Sequence, residues 1–302
     1  MIAVTHLKHP SLVAYLLLTF TTLCWGGNAV LGRLAVGEVS PMMVVSLRWV
    51  GTLLLLTLVA RKHIARDWPV LRKNLPFLAI MGALGFAGFN SLFYLAAHST
   101  TAINLGIIQG SIPVFVLLGA LVAYRTPVTP LQFGGVSITM IGVVIVGSGG
   151  DMARLATLAF NFGDLIMIGA CLLYAGYTVA LRQRPQVSSL SLLTFMAGAA
   201  FAASIVFAAA EATLGLVQWP TPFGWLIIGL ITLFPSFLAQ ICFIRGVELL
   251  GPGRAGVFIN LVPVFASILA VIFLNEQFKV FHGVALALVL SGIWLSERGK
   301  PT

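Results

Sequence analysis

Acidic side chains are scarce in this chain. Asp and Glu number 8 among 302 residues, and all charged residues together make up 8%. A soluble domain carries about 25%, so water is not the solvent for most of this surface. The 17 Lys and Arg outnumber the acids, yet nucleic-acid binding needs them gathered into a patch or stripe. Here they are scattered between long apolar runs, and no nucleic-acid partner is expected. Cysteine is sparse too. Cys24, Cys171 and Cys242 lie far apart inside apolar runs, with no CxxC pair or neighbouring His, which argues against a disulfide framework or a zinc site and for small packing residues. A nucleophile elbow, a phosphate-binding loop and a metal-ligating cluster are all missing from the sequence. An enzyme is therefore not expected, nor is a cofactor.

What the chain has is apolar length: 59% of its residues are apolar. A helix crossing the hydrocarbon core needs about 20 such residues. Ten segments qualify, at 11–33, 41–60, 75–97, 101–124, 130–148, 163–182, 190–211, 223–243, 253–274 and 280–297. The breaks between them carry charge, Pro or Gly, as in RKHIARDWPVLRKN, YRTPVTP and LRQRPQVSS. The first run is too long for a signal peptide and has few basic residues before it, so it reads as a retained first helix. Cytoplasmic loops retain Lys and Arg. With the amino terminus inside, the inside segments hold 13 of them, including Lys8, Arg61, Arg72, Arg125, Arg182, Arg184, Arg245, Arg254 and Lys300. The outside loops hold 3 (Arg33, Arg154 and Lys279), and Arg48 lies within a helix. Both termini inside, with ten crossings of the cell's inner membrane, is the consistent topology.

The chain also repeats itself. TTLCWGGNAVLGR at 21–33 is echoed by ACLLYAGYTVALR at 170–182, and GIIQGSIPVFVLLGA at 106–120 by GVFINLVPVFASILA at 256–270. The offsets, 149 and 150 positions, divide the chain into two five-helix modules, 1–149 and 150–302. An odd number of crossings per copy inverts the second relative to the first. Inverted repeats are a transporter signature, with the substrate site at the midplane where the copies meet and alternating access produced by rocking one against the other.

The run WGGNAVLGR, the Pro41 and Arg48-Trp49 positions that follow, and the closing PVFASILAVIFLNEQFKVFHGVALALVLSGI with its Glu276 resemble the EamA-type members of the drug/metabolite transporter superfamily. The resemblance covers nearly the whole chain as two copies of one module. It implies an all-α, ten-helix exporter of small metabolites, amino acids being the commonest substrate class. The match is uneven: Thr126 stands where the second copy has Glu276, and the second copy has no Arg matching Arg48.

Polar side chains in membrane helices tend to face the bundle interior or a wet cavity. Helical spacing groups Trp25, Asn28 and Gly32 on the first helix, Asn90, Tyr94 and His98 on the third, Tyr174 and Tyr177 on the sixth, and Ser236, Gln240 and Phe243 on the eighth. Gln109 precedes Pro113 on the fourth helix as Asn260 precedes Pro263 on the ninth. The expected substrate lining is Trp25, Asn28, Asn90, Tyr94, Gln109, Tyr174, Tyr177, Gln240, Phe243 and Asn260, aromatic walls with amide handles suited to a zwitterion. The competing reading has the amides joining helices and the rings filling the core. Pro113 and Pro263 are expected mid-helix, as hinges that free carbonyls. Arg48 lies about 10 Å along its helix from the external end, placed either to reach that interface or to meet a substrate carboxylate, and is assigned to structure or gating. His98 and His282 are expected near the interfaces. The acids cluster at helix ends, which weakens a proton-coupled drug antiporter with a buried carboxylate. The expected partners are a small-molecule substrate and membrane lipid, and a monomer suffices. Drug-like cations, sugar phosphates and nucleotide sugars are rival cargoes on the same architecture; a lipid-directed enzyme or a channel fits less well.

Overall fold

The computed structural model describes residues 10–125, 127–151, 161–250, 255 and 258–299. Lys8, Thr126, Arg154, Arg254, Gly256 and Lys300 lie outside them. Ten apolar segments run in order: α1 (Pro10–Leu34), α2 (Pro41–Leu71), α3 (Leu75–Ala97), α4 (Ala102–Tyr124), α5 (Pro130–Gly147), α6 (Phe162–Gln183), α7 (Ser189–Thr213), α8 (Pro222–Leu250), α9 (Ile259–Leu274) and α10 (Val280–Arg298). The first eight are long and apolar enough to cross a membrane, and α9 and α10 are shorter apolar helices. The protein is an all-α, multi-pass membrane protein. Large apolar side chains such as Leu58, Val122, Phe133 and Ile272 point outward and exposed, as a lipid-facing surface requires.

Two helices outrun their apolar stretches. The second continues to Leu71, not to residue 60, and carries the RKHIARDW charges on helical turns. The eighth continues to Leu250. Outside the hydrocarbon a helix tolerates charge, so loss of hydropathy marks the edge of the bilayer and not the end of the helix.

The duplication survives in the backbone. π-helical turns interrupt α3 at Gly82–Gly88 and α8 at Thr232–Leu238, 150 positions apart. The left-handed residues Arg125 and Asn275, both at φ 52°, end α4 and α9 at the same offset. Helix α4 breaks after Gln109 and resumes at Ile112–Tyr124. Helix α9 begins with a 3₁₀ turn at Ile259–Leu261 before Val262–Leu274. Pro113 and Pro263 are therefore not mid-helix. Each is the second residue of a half-helix, where its missing N–H costs nothing.

Most of the bonds that cross between the halves end on main-chain atoms. Thr21 Oγ1 donates to the Ala239 carbonyl (3.1 Å), Ser46 Oγ to Ser204 (3.0 Å) and Tyr124 Oη to Val179 (3.2 Å). At one end of the bundle the Asp67 carboxylate accepts from the Ser188 N–H, 2.8 Å, at the start of α7. At the other, Glu211 of α7 accepts from the Met42 N–H, 3.3 Å, and from Ser40 Oγ, 2.6 Å, at the start of α2.

Helices α5 and α10 pack through glycine. A Cβ on Gly135 would stand 2.5 Å from the Gly292 carbonyl and 2.7 Å from the Ser296 nitrogen, closer than real Cβ atoms come. One on Gly134 would meet only Leu295 Cδ2, at 3.8 Å. Gly135→Ala should therefore destabilise the folded bundle by about 1–3 kcal/mol, read as a lowered unfolding temperature in detergent, with Gly134→Ala as the near-neutral control. Equal unfolding temperatures would show that the two helices yield freely.

Candidate functional site

A cavity of about 640 Å³ opens inside the bundle, within the range of about 300–1,000 Å³ usual for small-molecule sites. Its lining runs from the bundle centre to one end, where Arg184 and Glu248 are exposed. That end gathers Arg61, Lys62, Arg66, Arg72, Arg182 and Arg184 and is called the basic end. No described residue lining the cavity comes from the opposite, acidic end, where Glu38, Asp164, Glu211 and Glu276 lie.

The acidic end is tied shut. Glu38 accepts from Thr221 Oγ1, and the Thr221 N–H donates to the Glu38 carbonyl at 3.0 Å. Asp164, 1% exposed, accepts from Thr100 Oγ1 and from Asn104 Nδ2. Glu276, between α9 and α10, accepts from the N–H groups of Ala102 (2.8 Å) and Ile103 (3.0 Å). It thus caps the free N-terminus of α4, where a carboxylate meets unpaired donors and the positive end of the helix dipole.

Two aromatic clusters line the cavity. Trp25 of α1 packs on Phe243 of α8 with centroids 5.3 Å apart, and its Nε1 donates to the Pro235 carbonyl (3.2 Å) in the second π turn. In the second cluster Trp49 stacks flat on Phe86, 4.9 Å and 3° apart, followed by Tyr177, Tyr174 and Phe89 at 5.1–5.3 Å steps. Gly85 leaves the space that the Tyr177 ring occupies. Amides fill the intervals: Asn28, Asn90, Gln109, Gln240 and Asn260 all line the cavity.

The floor is built around Arg48, which is 6% exposed. Its Nε donates to Ser236 Oγ (2.6 Å), and its Nη1 to Asn90 Oδ1 (2.5 Å) and Tyr94 Oη (2.8 Å), with Asn28 Oδ1 at 3.5 Å. One π turn supplies Ser236, and the other supplies the carbonyl that anchors Asn90. Asn90 is anchored by its Nδ2 donating to the Phe86 carbonyl at 2.7 Å, and Ser236 by its Oγ donating to Ile231, five residues back, at 2.7 Å. π turns are rare and concentrate at functional sites. Every one of these acceptors is neutral, and among the described residues no carboxylate approaches the guanidinium within ion-pair distance.

Nine of the ten residues expected to line a substrate site therefore do line this cavity: Trp25, Asn28, Asn90, Gln109, Tyr174, Tyr177, Gln240, Phe243 and Asn260, together with Pro113, Pro263 and Arg48. Tyr94 does not. It is 1% exposed and stands behind the floor, donating to Asn28 Oδ1 at 3.0 Å. His98 is further out, exposed at the end of α3 with Nδ1 against its own helix's Tyr94 carbonyl. A helix advances about 40° with each step of four residues, so a face begun at Asn90 has turned away by His98. His282 stands at the start of α10, buried at 5% exposure, and its Nδ1 accepts from the Lys279 N–H. The sequence reading missed Trp49, Phe86 and Phe89 as wall residues; Trp49's position beside an intramembrane arginine was the available signal.

Comparison with known proteins agrees with this architecture. The EamA-like transporter family profile matches twice, over residues 12–148 and 161–298. The chain is 26% identical over 290 residues to the uncharacterized transporter YyaM of Bacillus subtilis, spanning 95% of this chain and 93% of that one. It is also 26% identical over 284 residues to the uncharacterized inner membrane transporter YedA of Escherichia coli K12, covering 91% and 88%. A solved crystal structure superimposes with a TM-score of 0.65 at 19% identity over 95% of this chain and 96% of that one, a likeness of fold.

Proposed function

Because the chain belongs to the EamA-like transporter family, we propose that it exports amino acids or closely related small metabolites across the inner membrane by alternating access. The observation that carries this reading is a central cavity whose described lining reaches the basic end and not the acidic end, where side chains tie the helices together. If Lys and Arg mark the cytoplasmic side, both termini are cytoplasmic and the cavity faces inward, ready to accept cargo from the cell. The modules 1–149 and 150–302 then act as the two inverted units whose relative rocking carries the site from one side to the other. Aromatic walls with amides between them suit a zwitterion that has an apolar side chain: amides bond its ammonium and carboxylate, and rings receive the rest.

The test is uptake by purified protein in proteoliposomes across a panel of amino acids, with and without a pH gradient. Movement of at least one amino acid above protein-free vesicles is expected. Movement of a phosphate ester or a drug-like cation, with every amino acid excluded, overturns the substrate class.

A further inference from the structure

We infer that Arg48 and Trp49 form a dedicated docking point for a carboxylate, so that the cargo enters acid-group first and seats on the cavity floor. This rests on the transporter reading of the cavity and deepens it by naming the group that is recognised.

Three observations converge. Arg48 is a buried cation in the membrane interior whose Nε and Nη1 are occupied by neutral acceptors, while its Nη2 makes no bond to another described residue. Trp49, 2% exposed and on the same cavity wall, has an indole Nε1 with no hydrogen-bond partner. The Arg48 guanidinium lies 5.3 Å from the Trp49 ring centroid, so the two groups are neighbours in the cavity lining. A buried cation without a counter-charge and a buried donor without an acceptor are both costly. An oxyanion satisfies both at once, and charge-assisted bonds of this kind are the strong ones.

Among the described residues the rest of the cavity carries no rival for the role. Besides Arg48 its charged lining residues are Arg184 and Glu248, both exposed at the mouth, and Glu248 is paired with Arg245 at 2.7 Å. The floor therefore presents one net positive charge, which matches a single carboxylate. A phosphate ester seated on the floor would bring a second negative charge there, while the other described lining cation, Arg184, stands at the mouth. The geometry also links loading to motion. Arg48 holds α8 through Ser236 and α3 through Asn90 and Tyr94, so a carboxylate that draws on the guanidinium weakens the bonds closing the floor.

The experiment measures thermal unfolding shifts of the detergent-purified protein with the proteinogenic amino acids, simple monocarboxylates, chloride and inorganic phosphate as probes. The amide and the decarboxylated amine of the best-binding amino acid are then added. Shifts are expected from carboxylates and not from the amide or the amine. Trp49→Phe, which keeps the stacked ring and loses only the N–H, should weaken carboxylate binding about tenfold, and Arg48→Gln should abolish it. Amide or amine binding as tight as the parent acid overturns the proposal. So does unchanged affinity in Trp49→Phe, a response confined to chloride or phosphate, or no response to any carboxylate. A shift from monocarboxylates with none from any amino acid sinks the amino-acid reading and leaves the docking point standing.

Discussion

Trp25→Ala is expected to lower the initial rate of transport roughly ten- to a hundredfold while leaving a monodisperse, membrane-inserted protein. The ring is only half-buried because its other face belongs to the cavity. It forms one aromatic wall with Phe243 and fixes that wall to the second half through the Pro235 carbonyl. An aromatic contact of this area is worth about 1–3 kcal/mol to a bound ligand, and each 1.4 kcal/mol is about a factor of ten. Trp25→Phe separates the two contributions, since it keeps an apolar ring and loses the N–H. A partial deficit in Trp25→Phe and a severe one in Trp25→Ala is the expected pattern, measured as uptake per reconstituted protein. Wild-type rates in both variants would remove Trp25 from the site.

The second large effect concerns which side the cavity faces. Glu276→Ala deletes two charge-assisted bonds to the start of α4. Discounted for the partial exposure of the carboxylate, the loss is about 2 kcal/mol. That shifts the balance between the two access states about thirtyfold away from the observed one. The readout is labelling of an Asn260→Cys reporter on the cavity wall, in a cysteine-free background, with a membrane-impermeant thiol reagent applied to vesicles of either orientation. Labelling from the acidic end is expected to rise in Glu276→Ala and to remain low in its parent. Identical labelling from both sides in the two proteins would mean that the cap contributes nothing to closure.

The helices were readable because lipid imposes length and hydropathy together; Leu75–Ala97 coincides with the apolar run that announces it. The ends of α2 and α8 were not, since nothing in a charged helical turn says whether it lies inside or outside the bilayer. The π turns were hidden more deeply. GALGFAG and TLFPSFL share no residue at equivalent positions, yet both widen the helix at the same place, so the signal is backbone geometry retained after the side chains diverged. Arg48 stood out as the one intramembrane cation, but its partner Ser236 is 188 positions away, and only the packed halves bring them together. Tyr94 was misplaced for the converse reason: sequence spacing gave a face, and the drift of that face along the helix carried it behind the cavity floor.

The seam between the halves is fastened largely by side chains gripping backbone: Thr21 on Ala239, Trp25 on Pro235, Ser46 on Ser204, Asp67 on the Ser188 N–H. A carbonyl or amide survives almost any replacement of the residue that bears it. At these points the second copy can change its side chains without loosening the first copy's grip, and the symmetry imposes no demand that both copies keep the same chemistry. A single arginine, carried by one copy and unanswered in its twin, is the kind of specialisation that such a joint permits.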